Sequence, residues 1–81
     1  MKLKVIDKDA ELTSIIQISD IEYYDGESEF RIWDMIGDMA VVKCKSRMVA
    51  EDCVRDLFRA DRAELMDAVV DWDNEEDEDY Q

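Results

Sequence analysis

Carboxylates at alternate positions mark several stretches of this chain. Asp71, Asp73, Glu75, Asp77 and Asp79 alternate through DWDNEEDEDYQ, with Glu76 and Glu78 between them, and Asp20/Glu22, Glu27/Glu29 and Asp7/Asp9/Glu11 repeat the spacing. In an extended backbone, residues two apart project from one side about 6.6 Å from each other. Groups so placed could coordinate a hard cation, act as an acid–base pair, or display negative charge to a basic partner.

The cation reading can be tested on position. With Asp71 as position 1 of a calcium loop, Asp73, Glu75, Asp77 and Asp79 fall at positions 3, 5, 7 and 9. Position 6 is Glu76 where the sharp turn needs Gly, and the printed sequence stops at Gln81, one position short of the bidentate Glu. No metal site is therefore expected. Nor is a catalytic centre. There is no histidine, which removes Ser-His and Cys-His nucleophilic pairs and His-ligated zinc. A glycosidase-like carboxylate pair needs a cleft with one acid buried, and a core of this size leaves little room for one. Phosphate-cradling motifs are absent, since Gly26 and Gly37 stand apart. The expectation is a non-enzymatic protein without cofactors.

Charge display is the reading that remains. The chain of 81 residues carries 23 Asp and Glu against 10 Lys and Arg, a formal charge of −13. Residues 71–81 hold seven of those acids and no base. Such a field repels nucleic acid and anionic membrane and draws in basic surfaces. Cys44 and Cys53 fit neither a zinc knuckle nor a redox CxxC pair, so both are expected as thiols in a reducing cytoplasm. The start, MKLKVIDKDAE, meets an acid at Asp7 before any long apolar run, and neither a signal peptide nor a membrane span is expected.

Positioning these acids requires a core, and an apolar fraction of 47% supports one. Leu3 and Val5 alternate with Lys2 and Lys4 as in a short strand. SIIQISDIEYY reads as a second strand, Asp25-Gly26 as a tight turn, and EFRIWDMI as a third strand with Phe30, Ile32 and Ile36 on one face. Gly37-Asp38 leads into MAVVKCK, where Ala40, Val42 and Cys44 alternate with Val41, Lys43 and Lys45. Beyond Ser46, a plausible N-cap, the period lengthens and Ala50, Val54, Leu57 and Phe58 form a helical stripe. A single helix to Val70 would bury Asp61, so a second helix is expected to begin there, with Asp61 and Glu64 as a capping box.

The fold expected is thus α+β: a small antiparallel meander of three to four strands, packed by one or two C-terminal helices. Residues 1–70 form the domain and residues 71–81 an acidic tail. Trp72 would anchor the start of that tail.

Short length, strong acidity, no catalytic residues and a sheet-plus-helix pattern together resemble the small DNA-mimic inhibitors of phages and mobile elements, of the anti-CRISPR and anti-restriction type. The likeness is one of size and charge along the whole chain, and no motif is shared. It implies a protein of the host cytoplasm, monomeric or a small homo-oligomer, that serves host-defence evasion by occluding the basic nucleic-acid-binding channel of a nuclease complex. The partner-binding residues would be Asp71, Asp73, Glu75, Glu76, Asp77 and Asp79, with Asp20, Glu22, Glu27 and Glu29 around the hairpin. Trp33, Tyr24 and Trp72 would add apolar contact. The other reading is a small regulatory or antitoxin-like module that binds its partner through an apolar patch at Trp33, Met35 and Tyr24.

Overall fold

Alternation does place the first strands. β1 (Lys2–Asp7) buries Leu3 and Val5, and β2 (Leu12–Glu22) buries Ile16 and Ile18. β3 (Glu29–Asp34) buries Phe30 and Ile32, and β4 (Met39–Lys43) buries Ala40 and Val42. The computed structural model describes residues 1–7 and 11–73, and within them the architecture is α+β, with one helix and a six-stranded mixed sheet. Two turns expected from glycine are present: Gly26 adopts φ 91° and Gly37 φ 96°, values a Cβ would strain.

α1 (Arg47–Ala60) begins where Ser46 Oγ accepts the Val49 N–H at 3.2 Å. Its buried residues are Ala50, Cys53, Val54 and Leu57, the i, i+3, i+4, i+7 pattern of one face. Phe58 does not join them; it is 67% exposed while its neighbour Leu57 is 1% exposed. One further step of 100° carries residue 58 off the edge of a stripe centred on residues 50, 54 and 57.

The expected second helix does not form, and the helix lies between strands and not at the C-terminus. Asp61 does end α1, but as its left-handed C-cap at φ 65°, donating its N–H to the Leu57 carbonyl. The chain then extends into β5 (Arg62–Met66) and β6 (Val69–Trp72). Arg62, Glu64 and Met66 face out and Leu65 faces in, so the spacing taken for helical is that of a strand. The reason is non-local: β5 finds a parallel partner in β1, with Lys2 opposite Arg62 and Ile6 opposite Met66. Its backbone hydrogen bonds are supplied from the other end of the chain.

The strand order is β5-β1-β2-β3-β4-β6, so the two edge strands are consecutive in sequence and joined only through Asp67 and Ala68. A flat sheet would hold them about 24 Å apart, at ~4.8 Å per strand. The link from Met66 to Val69 reaches at most about 11 Å. The sheet must therefore curl until its edges approach. β2 bends where the register shifts between Ile18 and Asp20, and Asp67 turns the chain at φ 60°. The Asp67 N–H bonds the Ile6 carbonyl at 2.8 Å and its carboxylate lies 3.1 Å from Lys45 Nζ. The concave side holds the core, closed by the buried face of α1 against β5 and β3.

Ile36, expected beside Phe30 and Ile32, sits instead in the β3–β4 turn at 83% exposure. β6 carries the sheet past residue 70, so Asp71 and Trp72 are strand residues. No helix among the described residues is long and apolar enough to cross a membrane.

Candidate partner-binding face

The outer surface of β2, β3, β4 and β6 can be read from the pairing register. Phe30 and Ile32 point inward, so Arg31 and Trp33 point outward. Beyond the bend in β2, Asp20 stands opposite Trp33 and Glu22 opposite Arg31. Trp33 is in turn opposite Met39, and Arg31 opposite Val41. Val41 is opposite Asp71, and the Asp73 N–H donates to the Met39 carbonyl at 2.9 Å.

Two cross-strand rows result. One runs Asp20, Trp33, Met39, Asp73, and the other Glu22, Arg31, Val41, Asp71. Each begins and ends on a carboxylate, with half-buried apolar or basic residues between. Asp20 and Glu22 thus form one edge of the face and Asp71 and Asp73 the other, about 14 Å apart along the sheet at ~4.8 Å per strand. The bend that sets this register is held by the Ser19 hydroxyl, which donates to the Asp34 carbonyl at 2.9 Å.

Cations lie between the edges. Arg31 Nη1 is 3.6 Å from Glu22 Oε1, and Lys43 Nζ is 3.7 Å from Asp71 Oδ2. Both pairs are exposed, and such pairs contribute about 0–1 kcal/mol each; they order the side chains more than they stabilise the fold. Arg31 also lies 6.0 Å from the centre of the Tyr24 ring, and the Tyr24 hydroxyl donates to Glu22 Oε2 at 3.0 Å. That hydrogen bond and the Glu22 charge raise the Tyr24 pKa above its ordinary value.

At the hairpin end the sequence-predicted acids converge. Glu22, Glu27 and Glu29, with Tyr24, Phe30 and Arg31, line a groove of about 240 Å³. The turn is closed by the Glu27 N–H on the Tyr24 carbonyl at 3.2 Å and by the Tyr23 hydroxyl on the Glu27 carbonyl at 2.9 Å. Glu29 stands opposite Lys43 on β4. Asp20, Glu22, Glu29, Asp71 and Asp73 therefore share one outer surface, with Glu27 at its tip. Glu75, Glu76, Asp77 and Asp79 lie outside the described residues. Of the row Asp7/Asp9/Glu11, Asp7 ends β1 and Glu11 adopts φ 54°, and Asp9 lies outside the described residues.

The three aromatics do not gather. Tyr24 lines the hairpin groove, Trp33 is half-buried in the row of Asp20, and Trp72 pairs opposite Ala40 at the other end of the sheet. There Trp72 shares a groove of about 340 Å³ with Met35, which the alternative reading grouped with Trp33 and Tyr24, with Ile36, which was expected in the core, and with Ile15, Ile16, Gln17 and Asp34. A signal was available, since an apolar pair between Asp34 and Gly37 falls in a turn. Three other basic residues lie together away from this face. Lys2, Lys4 and Arg62 line a separate groove of about 480 Å³ with Ile15, Ala63 and Glu64, and Lys4 Nζ is 3.4 Å from Glu64 Oε2.

Comparison with protein-family models, with curated proteins and with solved structures returns no match.

Among the described residues no three His, Cys, Asp or Glu side chains converge as a metal site would need. No carboxylate among them is buried. Cys53 is buried and Cys44 half-buried, both free; burial pushes their thiols up to about 12 and about 11. Such thiols are poor nucleophiles at neutral pH, because the thiolate is the reactive form.

Proposed function

We propose that this protein is a non-enzymatic acidic inhibitor that presents carboxylates to a basic nucleic-acid-binding surface in place of phosphates. The partner would be a nucleic-acid-binding protein of the kind found in defence nucleases, and the effect would be occlusion of its channel. One observation carries the reading: the strand register aligns Asp20 and Glu22 with Asp71 and Asp73 as two edges of a single sheet face. Within each edge the i, i+2 spacing of about 6.6 Å is close to that of successive phosphates on one strand. Arg and Lys side chains bind carboxylate and phosphate with the same donor geometry. Because the backbone of both edges is fixed by ladder hydrogen bonds, the partner orders little of it on binding.

The test is retention of host proteins on the immobilised chain. A nucleic-acid-binding protein should be held at low salt, released by added duplex DNA or by high salt, and lost when Asp20→Asn, Glu22→Gln, Asp71→Asn and Asp73→Asn are combined. Retention that ignores both salt and these substitutions overturns the reading.

A further inference from the structure

Large apolar side chains are conspicuous beside the β3–β4 turn, at one end of the sheet. Ile15 is 66% exposed, Met35 68%, Ile36 83% and Trp72 37%, and all four line one groove together with Gln17 and Asp34. Single exposed apolar residues need no explanation, but a cluster in a chain with 41% charged residues does.

The turn that presents Met35 and Ile36 is tightly held. Asp34 Oδ1 accepts the Ile36 N–H at 3.0 Å and the Asp38 N–H at 2.9 Å. The Asp34 N–H donates to the Asp38 carbonyl at 2.9 Å, and the Gly37 N–H to the Asp34 carbonyl at 3.2 Å. Trp72 is fixed by its place in β6, opposite Ala40. Two separate elements thus hold apolar groups in the open, in a geometry a ligand would not have to organise.

The surroundings select the occupant. Asp34 lines the groove and Asp38 closes its turn; Asp71 and Asp73 flank Trp72 on the other face of β6, and Lys4 stands opposite Ile15 at the far rim, so the net field of the chain, and not the rim alone, sets the sign of the occupant. A second copy of a chain with formal charge −13 is repelled, as is an anionic lipid surface. A cationic polypeptide is attracted.

We propose that this groove receives an apolar side chain of the basic partner, whose flanking Lys or Arg residues lie along Asp20/Glu22 and Asp71/Asp73. The proposal rests on the acidic-face reading above and adds to it a hydrophobic anchor, which makes the ligand a protein segment of the form basic–apolar–basic. Charge on the rim would set encounter rate and salt dependence, and the anchor would set residence time.

Two synthetic peptides test this with the full chain: a lysine-rich peptide carrying a central leucine, and the same peptide with serine in its place. Titration followed by tryptophan fluorescence should show the leucine peptide binding about tenfold tighter or more, the order expected from burying one such side chain. The preference should persist at raised salt. It should vanish in Met35→Ser and in Ile36→Ser, and survive in Met48→Ser, which is equally exposed but on α1. Equal affinity of the wild-type chain for both peptides overturns the anchor and leaves the acidic face standing. If neither peptide binds at low salt, the acidic-face reading falls and the anchor with it. A wild-type dimer that Ile36→Ser converts to monomer in sedimentation assigns the groove to a second copy and also overturns the proposal.

Discussion

Glu22 and Asp71 lie on one cross-strand row of the sheet, linked through Arg31 and Val41. They come from opposite halves of the chain, and each is held beside a cation: Glu22 beside Arg31, Asp71 beside Lys43. Neutralising both acids removes two charges from the face and leaves two cations unopposed. Glu22→Gln with Asp71→Asn should weaken binding to a lysine-rich peptide about fivefold at low ionic strength, from about 1 kcal/mol of exposed pairing. Arg31→Gln with Lys43→Gln should act in the opposite sense and tighten it. Calorimetric titration at two ionic strengths checks both signs, and both effects should shrink at the higher one.

Asp61 is the residue that stops α1, and it does so at φ 65°. A left-handed conformation costs most residues roughly 1–2 kcal/mol, and glycine almost nothing. Asp61→Gly should therefore match or exceed the wild-type stability, even though it gives up the exposed contact with the Met1 amino group at 3.4 Å. Asp61→Val should lose about 1–2 kcal/mol. Urea denaturation of the three proteins separates these outcomes.

Leu57 and Phe58 are adjacent and opposite in burial. Leu57→Ala should cost about 2–5 kcal/mol as an unfilled cavity. A domain this small has only a few kcal/mol in total, so far-UV circular dichroism should show much of that variant unfolded. Phe58→Ala should shift stability by no more than about 0.5 kcal/mol. Ser46→Ala, which removes the oxygen accepting the Val49 N–H, should fall between them at about 1 kcal/mol.

Cys53 links stability to alkaline pH. Its ordinary thiol value of 9.0 is raised to about 12, with desolvation as the largest cause, followed by the charges of Cys44 and Asp56. A raised folded-state value favours the native state fully below pH 9 and loses that advantage as pH climbs toward 12. Melting temperature should therefore fall across this window, and less steeply in Cys53→Ala. At neutral pH the native protein should react slowly with a thiol reagent, and both cysteines rapidly once urea unfolds it.

How much of this was legible depends on the distance over which each feature is decided. Leu3 and Val5 in β1, the turns at Gly26 and Gly37, the Ser46 cap and the stripe Ala50, Val54, Leu57 all follow from residues within a few positions of one another. Residues 62–72 do not. Leu65 and Ala68 fit a helix nearly as well as a strand, and the choice was made by β1, which offers a parallel ladder from the other end of the chain. Ile36 and Phe58 fit the core by pattern but lie outside it for local reasons, Ile36 in the β3–β4 turn and Phe58 one helical step beyond the buried stripe of α1.

The candidate face divides in the same way. That Asp20/Glu22, Glu27/Glu29 and Asp71/Asp73 are spaced for one side of an extended backbone is a property of the chain alone, because side chains alternate with a period of two. The sign and size of the charge are equally properties of composition. Whether two such pairs stand as edges of one surface, with Arg31 and Lys43 between them and Ile15, Met35, Ile36 and Trp72 at one end, depends on register. Register is set by which strands pair and where β2 bends, and those depend on burying a common core from segments far apart in sequence.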